Sequence, residues 1–181
     1  MYVVLPLGVR GAHAGIAPES SAYLFDRKMA TRALQIVKGA LQDYADRGVF
    51  RGFSEVNASR FRFVWLINQQ MELSVDTTKH VLRFSRLLAG VPAGSALYAD
   101  LKKFIHDRHD RRLPAHRRVD SKRAGVSCAN RGGVVSVSLE VKNNQYAYGV
   151  NRIVNLVHEL FQHLRLSYPD YLAENFDVPQ E

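Results

Sequence analysis

Leu34, Val37, Leu41 and Tyr44 fall at helical spacing, and Leu24 and Met29 extend the same stripe upstream, so a helix is predicted over residues 19–47. Glu19, Ser20 and Ser21 supply a polar start after Pro18. Arg47 followed by Gly48 supplies a cationic last turn and a glycine stop. The period then drops to two. In RFRFVWLIN, Phe61, Phe63, Trp65 and Ile67 alternate with Arg60, Arg62, Val64 and Leu66, which predicts a strand. FRGFSEV precedes it across the turn-length break Asn57-Ala58-Ser59, and MELSV and HVLRFSRLL then flank Asp76-Thr77-Thr78-Lys79. Connections this short join only antiparallel neighbours, so a meander is expected.

The helical period returns in AGVPAGSALYADLKKFIHDRH. Leu97, Leu101, Phe104 and Ile105 mark one face, and Lys102, Lys103, Asp107 and Arg108 the other. Leu113-Pro114 stops this element, and AHRRV is expected as a short edge strand with Pro114 at its start. GVSCA and GGVVSVSLEV follow, joined through Asn130-Arg131-Gly132-Gly133. The second has Val135, Val137, Leu139 and Val141 on one face and Ser136, Ser138 and Glu140 on the other. After Asn143-Asn144 a last helix runs from about Tyr148 to Leu166, before Tyr168-Pro169 and a short acidic tail of Asp170, Glu174, Asp177 and Glu181.

The chain shows no repeat, low-complexity tract or linker, so residues 19–181 read as one domain behind a loose leader at 1–18. The fold class is α+β, an antiparallel sheet (meander plus hairpin) with helices on one face, in the order α-β(3-4)-α-β(2-3)-α. Hydrophobic residues make up 46% of 181 positions, enough for a sizeable core. No apolar run approaches the ~20 residues of a membrane span, so no membrane partner is expected. The N-terminus has no basic region before its apolar opening, and that run breaks at Pro6 and Gly8, which argues against a signal peptide. The one cysteine, Cys128, can form no intramolecular disulfide, which fits a cytoplasmic setting. Its alternating surroundings read as a small buried apolar position, and no neighbouring base makes it a nucleophile.

One stretch invites a metal reading. VHELFQH places His158, Glu159 and His163 inside an apolar repeat, but the histidines are five residues apart, not four. At about 100° per residue they stand about 140° apart on the helix and cannot share an ion. The segment reads as a core-facing helix and no more. HDRHD, residues 106–110, reads as a solvated charged face. No P-loop, dinucleotide fingerprint or nucleophile elbow is present, so no catalytic residue, metal or cofactor is assigned, and an enzyme is the weakest reading.

Charge adds a second reading. The formal net charge is +8. Nine basic residues (Lys102, Lys103, Arg108, Arg111, Arg112, Arg117, Arg118, Lys122 and Arg123) against three aspartates contribute six of those eight charges within one segment. Such density fits largely sequence-independent contact with nucleic-acid phosphates. RFRFVW interleaves arginine with aromatics as an RNA-stacking sheet does, although the same pattern suits a strand whose Phe/Trp face is buried.

The leading reading is contact with protein. If Phe61, Phe63, Trp65, Leu82 and Phe84 face the helices, then Val64, Leu66, Val81 and Leu87 face outward among Arg62, Arg83 and Ser85, a candidate interface for a homodimer. The element order, ending in VSVSLEV and YGVNRIVNLVHELFQHL before YPDYL, is similar to the type III secretion chaperone-like fold, including the YbjN-like proteins. That resemblance implies a dimeric, non-enzymatic, chaperone-like binding module with no catalytic residues. The chain departs from the pattern in an extra strand and a basic loop.

Overall fold

The structure is a computed structural model, and it describes residues 21–176. The leader expected at residues 1–18, the helix start at Glu19 and Ser20, and the tail residues Asp177 and Glu181 lie outside the described residues.

Helix α1, Ser21–Asp46, buries Ala33, Val37 and Leu41, the stripe that its period announces. Gly48, at φ 74°, turns the chain out of it. Four strands follow: β1 (Arg51–Asn57), β2 (Arg60–Trp65), β3 (Gln69–Asp76) and β4 (Val81–Leu88). Strand β2 stops three residues earlier than its alternation predicts. Ile67 and Asn68 take positive φ in a single 3-10 turn, so the chain reverses at Trp65 and Ile67 leaves the strand.

Helix α2, Ala96–His106, starts at Ser95, whose hydroxyl accepts from the Tyr98 amide. The hairpin of β5 (Ala124–Arg131) and β6 (Val134–Val141) precedes α3 (Tyr146–Ser167). Residues 115–119 form no strand; they belong to the irregular connection between α2 and β5. The tail is also not extended: Pro169 opens a further helix, α4, Pro169–Phe176. Proline stops a helix from continuing, but its fixed φ suits the first turn of the next one.

The strands make one antiparallel sheet in the order β1-β2-β3-β4-β6-β5. Phe61, Phe63, Leu73, Leu82, Phe84, Val137 and Leu139 fill its core face, and α3 supplies Val150, Ile153, Val157, Leu160 and Leu164 against them. Burying each such side chain stabilises the fold by about 1.5–3 kcal/mol. Gly149 lets α3 come close: a Cβ there would lie 2.8 Å from Val141 Cγ2.

One irregularity matters for the surface. Between Phe84 and Leu88 the pairing of β4 with β6 shifts, because Phe84 pairs with Val137 while Leu88 pairs with Val135. Four steps along β4 oppose two along β6. The bulge turns Ser85 and Arg86 both outward and drives Leu87 inward, where it is only 4% exposed. The outward placement expected for Leu87 is therefore corrected; strict alternation fails across a bulge.

Candidate functional site

The sequence nominates the basic segment 102–123 as a contact for anions. Its loop, residues 110–123, is strapped onto α3. Arg152 Nη1 donates to the His116 carbonyl. The Asp120 amide donates to the Tyr148 hydroxyl at 2.8 Å. Arg123 and Arg152 lie over the Tyr148 ring, at 3.7 and 5.0 Å from its centre, so one aromatic is flanked by two guanidinium groups. His109 Nδ1 donates to the Val119 carbonyl at 2.9 Å, and Val119 itself is buried. These ties hold AHRRV as a strap instead of the edge strand expected there.

The strap consumes much of its own charge. Arg108 is 7% exposed, lies over the Phe104 ring and donates to Glu159, which also accepts from Arg117 Nε at 3.1 Å. A buried, paired guanidinium is no contact for an external anion, so Arg108 is withdrawn from that role. Lys103 pairs with Asp107 and Arg112 with Asp110, each at 2.6 Å. The Arg112 guanidinium and amide hold the Asp110 carboxyl down at about 2. Arg123 donates to Gln145, Arg118 to the Arg111 carbonyl at 3.2 Å, and Lys102 sits over Tyr98. Arg111 and Lys122 remain exposed on this side.

Glu159 thus does more than decorate a core-facing helix. A carboxylate at the margin of an apolar stripe, in a chain with an arginine-rich loop, is the sequence signal that would have found it. The two histidines of the same helix part company. His158 stacks near Trp65 at 6.3 Å, while His163 Nε2 donates to Asp100 Oδ2 at 2.6 Å and stacks on Phe104. Among the described residues, no three His, Cys, Asp or Glu side chains form a group able to hold a metal ion. Burial pushes the Cys128 thiol up, away from the thiolate.

The opposite side of the molecule has a different character. The aromatics of RFRFVW face the helices: Phe61, Phe63 and Trp65 are buried, so they form no stacking surface. Their partners in the alternation lie on a sheet face with no helix over it among the described residues. Cross-strand pairing sets its rows. Arg60 stands opposite Ser74, Ser74 opposite Arg83, Arg83 opposite Ser138 and Ser138 opposite Ser127. Arg62 stands opposite Glu72, and Arg51 opposite Val64. Arg131 pairs with Val134 at the far end, and Arg86 joins them through the bulge.

Six arginines therefore share this face with the carboxylates of Glu72, Glu140 and, at its margin, Asp76. Glu72 is occupied, with Arg62 at 3.3 Å and Arg60 at 3.7 Å. Arg83 Nε donates to Ser138 Oγ at 2.9 Å. Among the described residues, neither Arg83 nor Arg86 has a carboxylate within ion-pair distance. Val64 and Val81, nominated as interface residues, are half-buried here and stand apart: the Arg62–Glu72 and Arg60–Ser74–Arg83 rows run between them. Leu66, also half-buried, lies in the 3-10 turn at the end of β2.

No helix among the described residues is long and apolar enough to cross a membrane. No family model matches the chain, and no curated protein or solved structure matches it.

Proposed function

We propose that this protein is a non-enzymatic binding module that holds a single-stranded nucleic acid along the open face of its sheet. The observation that carries this reading is the composition of that face: Arg51, Arg60, Arg62, Arg83, Arg86 and Arg131 among serines, uncovered by any helix among the described residues. Arginine presents a planar fork of donors that matches phosphate oxygens. Antiparallel strands about 4.8 Å apart spread these forks over an extended surface, which suits a polymer better than a small anion. Among the described residues the face lacks exposed aromatics, so contacts fall mainly on phosphates and carry little sequence information. The formal net charge of +8 favours the encounter.

The test is fluorescence anisotropy of a labelled single-stranded oligonucleotide across a salt series. Affinity falls with salt by about 0.7 log units per log unit for each phosphate neutralised. The combined variant Arg60→Ala, Arg83→Ala and Arg131→Ala then lowers that slope by about 2. No binding at low salt, or an unchanged slope in the variant, overturns the reading. Equal affinity for polyglutamate replaces the nucleic acid by an acidic protein.

A further inference from the structure

We infer that the fork between β3 and β4, at the centre of the open face, receives one unstacked nucleobase of the bound strand; this rests on the nucleic-acid reading above. The two strands pair from Asp76 and Val81 as far as Leu73 and Phe84, and there the ladder ends. Continued pairing would set Glu72, Met71 and Gln70 against Ser85, Arg86 and Leu87. The bulge in β4 prevents it and opens a recess of about 300 Å³ between those two trios.

The recess has a floor and a rim of different chemistry. Met71, Phe84 and Leu87 form the floor, each nearly closed to solvent. A flat, weakly polar ring covers such a floor well. The rim offers the Gln70 amide and the Ser85 hydroxyl, groups able to meet the donors and acceptors of a base edge, beside the Glu72 carboxylate that Arg62 and Arg60 already hold. Arg62 and Arg86 stand on opposite walls, with the open fork between them. That arrangement places one cation on either side of an inserted base, where its two flanking phosphates lie. The volume is at the lower end of ligand pockets, which suits a single ring system and excludes larger bodies.

The floor and the cations answer different parts of a nucleotide, and this makes the inference separable from general phosphate binding. The probes are a single-stranded oligonucleotide and the same sugar-phosphate backbone lacking every base, each titrated against the full chain by anisotropy. The base-bearing strand is expected to bind about tenfold more tightly than the abasic one, the contribution of one recognised base. Ser85→Trp fills the recess from the exposed bulge without touching the core. It brings the base-bearing strand down to the abasic affinity and leaves abasic binding unchanged. Gln70→Trp closes the recess from the other wall and is expected to do the same, should the first variant fold poorly. Equal affinity of the two strands for the unaltered protein overturns the inference while leaving the arginine face intact. Persistence of the difference in well-folded Ser85→Trp and Gln70→Trp also overturns it. Failure of both strands to bind removes the nucleic-acid reading itself, and the base pocket with it.

Discussion

Arg108 and Glu159, 51 positions apart in the chain, close the seam between α2 and α3 with a guanidinium–carboxylate contact almost out of reach of water. Glu159→Ala removes the carboxylate and leaves the Arg108 cation buried. A loss of about 3 kcal/mol is expected, as for other broken buried pairs. Urea denaturation measures it. The double variant Arg108→Met with Glu159→Leu removes both charges and is expected to recover most of the loss. A single variant as stable as the parent contradicts the role given to the pair.

Gly149 is a packing requirement, not a helix defect. Alanine there gains about 1 kcal/mol of helix propensity. Its Cβ, however, would sit 2.8 Å from Val141 Cγ2, 3.2 Å from Leu82 Cδ1 and 3.3 Å from Leu139 Cδ2, all on the rigid core face. Overpacking of this kind costs about 1–3 kcal/mol, so Gly149→Ala is expected to destabilise on balance. Adding Val141→Ala relieves the worst contact, and the two losses should then sum to more than the double variant shows in thermal unfolding.

Tyr171 donates its hydroxyl to the Ala89 carbonyl at 2.6 Å, and burial pushes its phenol up to about 12. The fold favours the neutral form. Its contribution to stability is therefore complete below the unfolded value near 10 and disappears as pH rises through about 12. Tyrosinate absorbance should show a late-titrating group that Tyr171→Phe deletes.

The strap and the sheet face make opposite predictions for nucleic-acid binding. Replacing Arg111, Arg112 and Arg118 by alanine is expected to leave the salt slope unchanged, because these groups lie on the helix side. A slope reduced by about 2 would move the site to the strap. Tyr148→Ala should instead loosen the strap, seen as faster amide exchange over residues 110–123, since it removes the acceptor for the Asp120 amide and the ring between Arg123 and Arg152.

The antiparallel sheet and its helices were legible because period-two and helical repeats are local. Phe61-Phe63-Trp65 and Val135-Val137-Leu139 alternate in the chain and alternate in burial. What escaped depends on partners far away. The strap is held by Tyr148 and Arg152, 28 and 36 positions from the residues that they bind. Leu87 turns inward through a bulge that no alternation announces. Pro169 reads locally as an end, though the chain uses it as a beginning. The arginines of the open face were hidden for a related reason. Charge density along the chain points to residues 102–123, yet the arginines of the open face come from four strands and gather only once the sheet has formed.

The two margins of the sheet differ. Strand β1 is interrupted by two register shifts and carries Arg51 and Glu55, features that discourage another strand from adding to it. Strand β5 pairs with β6 through eight consecutive residues without a break, contains no proline, and bears its only charge at Arg131. Such a margin is a template for further strands. In concentrated solution, self-association of this protein is therefore expected to begin at β5, and a lysine placed at Ser127 should raise its solubility limit where the same change at Ser54 does not.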